Sequence, residues 1–109
     1  MLGLEYINQV NNNDVVLSQR CNVERTILAK RIGQKSLYYH TTMVATLYWS
    51  YETLIAVKVN DILHITTAKY SVTTSKHCSY LRNRHQGEVR YTSPVGLVQV
   101  LVNAGYFNR

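Results

Sequence analysis

The feature that most restricts the fold of this chain is an apolar segment in its centre, followed by a tight turn and a second apolar segment. Residues 53–59 are largely apolar at both alternate positions, which is typical of a strand buried on both faces of a sheet. Asn60-Asp61 comes next, a dipeptide suited to a two-residue hairpin turn, and apolar residues return over 62–67. The sequence therefore predicts a β-hairpin at the centre of a sheet.

An alternating pattern precedes this hairpin and extends the predicted sheet. From residue 37 to residue 49 the even positions are more polar, whereas the odd positions hold Leu37, Tyr39, Thr41, Met43, Ala45, Leu47 and Trp49. Because side chains alternate between the two faces of a strand, this pattern indicates one strand with a buried face. We therefore expect a mostly antiparallel sheet of about three to four strands.

Two segments in the first third of the chain have helical features. Apolar residues at helical spacing predict a short helix over residues 2–10, and residues 15–17 predict a short strand. Asn22 is a suitable N-cap for a second helix over residues 23–32, and Gly33 lies just beyond it, where helices often end.

Two further helices are predicted after the central hairpin. Thr73 or Thr74 is the expected N-cap of a helix that runs to about His85. Ser93-Pro94 begins the last helix, with proline at the first helical position and Gly105 just past the end. The valines of this last segment leave a strand as the alternative.

These elements predict an α+β fold, a small mostly antiparallel sheet packed with two to four short helices. A chain of 109 residues is expected to form one domain over residues 1–109. We expect a cytoplasmic protein, because the N-terminus does not resemble a signal peptide and no apolar stretch approaches the roughly 20 residues of a membrane span. Cys21 and Cys78 are expected to be reduced thiols, with a bridge between them as the alternative.

Positive charge is concentrated in two segments. Twelve Lys and Arg residues against six Asp and Glu residues give a net charge of +6. Residues 20–35 hold five cations against Glu24, and residues 69–90 hold five cations against Glu88. The imbalance favours nucleic acid or an acidic protein surface as partner, although a modest positive charge also serves solubility. The sequence leaves open whether the two segments share one face.

The segment Lys69–His77 is the most distinctive part of the sequence. If Thr74 is the N-cap, the backbone N–H groups of the next three residues are unpaired at the positive end of the helix dipole, where they suit a phosphate or carboxylate. Lys76, Tyr80 and Arg84 then recur at four-residue spacing, so that two cations flank an aromatic ring along one exposed line. The candidate residues for binding nucleic acid or an anion are Thr73, Thr74, Ser75, Lys76, His77, Tyr80 and Arg84.

Two motifs in this part of the chain resemble those of a known protein family. The first is Ser50-Tyr51-x-Thr53-x-Ile55-Ala56, and the second is Tyr70-Ser71-x-Thr73-Thr74-Ser75-Lys76-His77. With a short hairpin between them and a helix after the second, they resemble a family of short phage- and plasmid-encoded proteins of unknown function. The resemblance covers about residues 44–85. It implies a phage or mobile-element origin and an intracellular setting, and it implies no activity.

Residues for catalysis or metal binding do not form a recognisable pattern. The four histidines, His40, His64, His77 and His85, lack the spacing of metal ligands, and the acidic residues are scattered singly. We therefore expect no metal, no cofactor and no enzyme activity. A minor alternative is that His77, beside Lys76 and a hydroxyl group, handles a phosphoester.

Three functions are consistent with the sequence. The first is a phage-type accessory protein that binds nucleic acid or another polyanion through the helix near Thr74, with Arg25, Lys30 and Arg31 as additional contacts. The second is a protein-interaction module, such as a host-enzyme inhibitor or a counter-defence protein, and the third is a small structural subunit. An ordinary structural explanation of the segment is also open, with a threonine as helix cap, His77 as a packed histidine and Lys76 in solvent.

Overall fold

The computed structural model describes residues 23–107 of the chain. The elements, in order, are β1 (Lys30–Arg31), β2 (Leu37–Thr41), β3 (Thr46–Ser50), β4 (Thr53–Val59), β5 (Ile62–Thr66), α1 (Val72–Arg84), β6 (Val89–Thr92) and α2 (Pro94–Asn103). The helix predicted over residues 2–10, the strand predicted over residues 15–17, and the residues Cys21 and Asn22 lie outside the described part.

The strands form one sheet in the order in which they occur along the chain. Neighbouring strands from β1 to β5 are antiparallel, and β6 is parallel to β5 because α1 connects the two. The predicted α+β class and the mostly antiparallel sheet are confirmed. The sheet has six strands rather than three to four, and two helices accompany it within residues 23–107.

The central hairpin forms as predicted. Asn60 and Asp61 both adopt positive φ, 53° and 67°, which is the backbone geometry of the favoured two-residue hairpin turn. β4 lies between β3 and β5, and its residues 54–57 are buried. The largely apolar sequence of this strand therefore reflects its position inside the sheet.

The single strand predicted over residues 37–49 is wrong, because this segment is a hairpin. The Thr42 backbone N–H donates to the Ala45 carbonyl at 2.8 Å, and the Ala45 N–H donates to the Thr42 hydroxyl at 3.1 Å. This turn contains no glycine or proline, so the sequence carries no clear mark of it. Crossing the turn reverses the alternation: Leu37 and Leu47, both odd, lie on opposite faces of the sheet.

The helix predicted over residues 23–32 is also wrong. Residues 23–29 are irregular, and Lys30 and Arg31 form an edge strand paired with Tyr39 and Tyr38. Pairing with β2 therefore overrides a weak helical pattern. Gly33 adopts a φ of 57° in the turn between β1 and β2, so the glycine marks a turn and not a helix end.

The two helices cover opposite faces of the sheet, which we call the α1 face and the α2 face. On the α1 face, Leu81 packs with Leu37, Ile55, Ala56, Leu63 and Ile65. On the α2 face, Leu97 and Leu101 pack with Ala45, Leu47, Trp49, Leu54 and Val57. Burial of each large side chain of this kind contributes roughly 1.5 to 3 kcal/mol.

α2 begins and ends where the sequence predicts, and the alternative of a strand is excluded. The Ser93 hydroxyl accepts a hydrogen bond from the Gly96 N–H at 3.0 Å, and Pro94 is the first helical residue. Gly105 follows the last turn with a φ of 83°, a conformation that glycine adopts without strain.

Candidate functional site

The start of α1 differs from the predicted one. The N-cap is Ser71, whose hydroxyl accepts a hydrogen bond from the Thr74 N–H at 3.1 Å, so the prediction of Thr73 or Thr74 as N-cap is wrong by two or three residues. The Ser75 N–H already donates to the Ser71 carbonyl at 3.0 Å. The amides of Ser75, Lys76 and His77 therefore lie inside the helix, and the anion site predicted from their free N–H groups is not formed.

Four side chains form one hydrogen-bond network beneath α1, which we call the Ser50–His77 network. The Ser50 hydroxyl, at the end of β3, lies 2.8 Å from His77 Nδ1 and 2.9 Å from Thr74 Oγ1. The Ser71 hydroxyl donates to Thr74 Oγ1 at 3.2 Å, and His77 Nε2 lies 2.9 Å from the Lys35 carbonyl oxygen. Ser50, Thr74 and His77 are 1%, 4% and 2% exposed, so these three side chains belong to the core, whereas Ser71 is exposed at the helix start.

The Lys35 carbonyl group fixes which nitrogen of a neutral His77 ring carries the proton, and the other hydrogen bonds of this network follow from that tautomer. Because a carbonyl oxygen only accepts, His77 Nε2 carries the proton and donates to Lys35. In this tautomer Nδ1 accepts from the Ser50 hydroxyl, whose oxygen accepts from Thr74. Ser71 donates to Thr74 in turn. Each side chain of the network therefore has a partner, as buried polar groups require.

Burial gives Thr74 and His77 a structural role and removes them from the predicted binding surface. A serine beside a histidine is also the arrangement of a nucleophile with its base. Here both side chains are buried in the core and bonded to neighbouring groups. For Thr74 and His77, the explanation that fits is the structural one, in which His77 is a packed histidine of the segment Lys69–His77.

The turn between β1 and β2 packs against the side of α1. A Cβ atom added to Gly33 would lie 1.9 Å from the Tyr80 hydroxyl, so a larger residue would displace this ring, and the φ of 57° also favours glycine. Tyr80 is half-buried against the core of the α1 face, and the Arg84 guanidinium lies 4.5 Å from its ring centroid. Tyr80 therefore supports the turn and holds Arg84, and its ring is not a free stacking platform.

The predicted stripe is retained as a pair of cations. Lys76 and Arg84 are exposed, Thr73 is half-buried and Ser75 is exposed. α1 contains no acidic residue from its first position to its last. Lys35 is also exposed, on the turn that contacts this helix, since its carbonyl group is bonded to His77.

Lys30 completes this group, whereas the other two expected contacts do not belong to it. Lys30 pairs with Tyr39, which places it on the α1 face, and Arg31 pairs with Tyr38 on the α2 face. Arg25 also lies on the α2 face, stacked over Tyr38 at 3.8 Å and paired with Glu52 at 2.8 Å. We call Lys30, Lys35, Lys76 and Arg84 the basic surface; none of them forms an ion pair within residues 23–107.

A family model for a family of unknown function, DUF8033, matches residues 7–93 of the chain. The chain belongs to this family. The DUF8033 match includes both sequence motifs, the Ser50–His77 network and the basic surface, and it ends before α2. A search of curated proteins and a search of solved structures each found no match. The resemblance to a family of unknown function is confirmed at that level.

Sequence reasoning missed two residues that organise the site. Ser50 belongs to the first motif, and its hydrogen bonds join it to Thr74 and His77 of the second motif. The occurrence of the two motifs together was therefore the sequence signal that could have identified Ser50. Lys35 carried no such signal, since only the turn after β1 brings it to α1. Within residues 23–107, no group of three His, Cys, Asp or Glu side chains could hold a metal, and no helix could span a membrane.

Proposed function

We propose that this chain binds nucleic acid through the basic surface, as a phage-type accessory protein in the cytoplasm of a host cell. The observation that carries the proposal is the hydrogen bond from His77 to the Lys35 carbonyl group, 2.9 Å long. This contact brings the turn that carries Lys35, from the first basic segment, against α1, which carries Lys76 and Arg84 of the second. The two sequence motifs, over residues 50–56 and 70–77, support a phage or plasmid origin.

The charges around α1 suit a phosphate backbone. Lys76 and Arg84 are two turns apart on one side of the helix, and Lys35 lies on a turn that is bonded to the buried His77 of the same helix. The ion pairs of the described part involve other cations, Arg25 and Arg90. Cations without carboxylate neighbours exchange their counterions for phosphate groups, which gives binding that weakens steeply with salt.

The double variant Lys76→Gln plus Arg84→Gln is expected to weaken oligonucleotide binding roughly tenfold in low salt. Each lost phosphate contact also lowers the slope of log Kd against log salt by about one, so the double variant should lose about two. Fluorescence anisotropy with labelled single-stranded and duplex DNA and RNA, over a salt series, measures both quantities.

A matched control removes the same charge from the other face. Arg31 is the strand partner of Tyr38, and Arg90 is that of His64, which neighbours Val57 of the α2 face. The double variant Arg31→Gln plus Arg90→Gln therefore changes the α2 face only. This control should bind as the wild type does, within about twofold. Equal weakening of both double variants would show that net charge, and not the basic surface, determines binding.

A group of exposed apolar side chains favours a second function, binding to another protein. Ile27 and Met43 are fully exposed, and their neighbours Leu28 and Val44 are also exposed. Leu28 and Thr41 line the same open cavity, which places the two apolar segments at one end of the sheet. Such a patch often marks a contact between proteins.

The variant Ile27→Ser plus Met43→Ser is expected to abolish capture of a protein partner from nuclease-treated host lysate, with little change in stability. The Lys76→Gln plus Arg84→Gln variant should keep that partner. A partner captured by the wild type and by the apolar variant alike would contradict this second function.

A further inference from the structure

A second site lies on the other side of α1 from the basic surface, in a cavity between α1 and strands β5 and β6. The cavity has a volume of about 340 Å³, near the lower end of the range for small-ligand sites. Its two cations are Lys69 and Arg82, and no acidic residue lines it. The lining also includes hydroxyl groups from α1 and from the chain after β5, with Ile65 and Ala68 as apolar contacts.

The cavity lies at the carboxyl ends of the parallel strands in this sheet. Thr66, at the end of β5, pairs with Thr92, at the end of β6, and the next N–H, of Thr67, donates to the Thr92 carbonyl at 2.9 Å. The Thr66 hydroxyl accepts from the Ala68 N–H at 3.1 Å, which fixes the chain as it leaves the strand. In open α/β sheets ligands bind outside the carboxyl ends of the parallel strands, and β5, α1 and β6 form a unit of that kind.

Several hydrogen-bond donors in the cavity are available to a ligand. The Arg82 guanidinium donates one bond, to the Tyr91 hydroxyl at 3.2 Å, which aims the group and leaves its other N–H donors free within residues 23–107. Lys69 forms no ion pair with another described residue. The hydroxyl groups of Ser75 and Ser79 likewise form no hydrogen bond within the described part of the chain.

The thiol of Cys78 adds no negative charge to the cavity. Burial raises the pKa of Cys78, and the nearby cations Lys69 and Arg82 oppose that rise only in part. Cys78 is a free cysteine and half-buried. The protonated thiol is thus a small uncharged group in an otherwise basic lining.

We propose that this cavity binds a phosphate monoester, with Arg82 and Lys69 neutralising the dianion and Ser75 and Ser79 donating hydrogen bonds to its oxygens. Charged donors and hydroxyl groups are the usual partners of phosphate oxygens. The volume accommodates a phosphate and a sugar rather than a nucleic-acid duplex, and the exposed Tyr91 ring lies at the rim, beside where the sugar or base would leave. The site is independent of the proposed function, since neither Lys76 nor Arg84 lines it.

Titration calorimetry with inorganic phosphate, AMP and adenosine tests this proposal. Inorganic phosphate and AMP should bind saturably, and adenosine at least roughly tenfold more weakly, because it lacks the dianion. Arg82→Gln should weaken AMP binding roughly tenfold or more, whereas Lys76→Gln plus Arg84→Gln should leave it unchanged. The proposal is overturned if AMP and adenosine bind equally, or if Arg82→Gln binds AMP as the wild type does.

The source of the phosphate is decided with 5′-phosphorylated and 5′-hydroxyl oligonucleotides, tested in the Lys76→Gln plus Arg84→Gln background. A preference for the phosphorylated end that disappears with Arg82→Gln identifies a nucleic-acid terminus as the ligand. AMP binding without that preference identifies a free nucleotide.

An independent readout uses the thiol in the cavity. In a Cys21→Ser background, saturating phosphate should slow alkylation of Cys78 by iodoacetamide in the wild-type cavity and not with Arg82→Gln. Alkylation at the same rate with and without phosphate would contradict occupancy of the cavity. Arg82 is exposed, so Arg82→Gln is expected to fold normally, as circular dichroism checks.

Discussion

Replacing His77 with alanine is expected to lower the free energy of unfolding by about 3 to 5 kcal/mol, because a buried ring and two hydrogen bonds are lost together. The ring is 2% exposed, so its removal leaves a cavity under α1. The Ser50 hydroxyl loses the acceptor at 2.8 Å, and the Lys35 carbonyl loses the donor at 2.9 Å. Denaturant unfolding measures the change, with Trp49, the single tryptophan, as fluorescent reporter.

Two control variants separate this network from the helix that carries it. Lys76→Ala changes the neighbouring exposed residue of α1 and should shift stability by no more than about 0.5 kcal/mol. His77→Gln keeps one donor and one acceptor on a side chain of similar reach, so it should lose less than His77→Ala. A His77→Ala protein within about 1 kcal/mol of the wild type would show that the network is not a main source of stability.

The His77→Ala variant also tests whether the core supports the proposed binding surface. The turn that carries Lys35 is attached through the His77 ring to α1, the helix that carries Lys76 and Arg84. In conditions where His77→Ala is still folded, oligonucleotide affinity should fall although no surface charge is removed. Binding at the wild-type level would mean that the Tyr80 contact with Gly33 is enough to hold the turn in place.

The elements predicted correctly from the sequence are those with local determinants. Asn60-Asp61 determines the central turn by itself, since both residues tolerate positive φ. Ser93, Pro94 and Gly105 define the ends of α2 in the same local way. No contact distant in sequence is needed for either prediction.

The predictions that failed depend on contacts distant in sequence. Residues 30–31 form a strand only because β2 lies beside them, and the alternation over 37–49 continues through a turn made by Thr42. Thr74 and His77 have the polar character of surface residues, and they are buried because Ser50, more than twenty residues earlier, supplies their partner. Burial of a polar residue depends on such a partner, which a single sequence does not reveal.

Replacing Trp49 with alanine is expected to lower the free energy of unfolding by about 3 to 5 kcal/mol, the usual range for a fully buried tryptophan. Trp49 is 0% exposed at the centre of the core on the α2 face. Its indole Nε1 also donates to the Val23 carbonyl at 2.8 Å, which attaches the irregular segment before β1 to the sheet. The loss therefore includes both packing and the anchoring of that segment.

Trp49→Phe distinguishes the two contributions, because phenylalanine keeps most of the apolar contact and has no donor for Val23. We expect Trp49→Phe to lower the free energy of unfolding by about 1 to 2 kcal/mol. Unfolding of this variant is measured by far-UV circular dichroism, because the fluorescent tryptophan has been removed. Hydrogen exchange should then be faster at residues 24–29 and unchanged in β4. If Trp49→Phe were as unstable as Trp49→Ala, the hydrogen bond to Val23 would outweigh packing. A Trp49→Phe protein with wild-type stability and exchange would instead show that the other contacts hold the segment, namely those of Arg25 with Tyr38 and Glu52 and the packing of Val23 and Ala29 on the core.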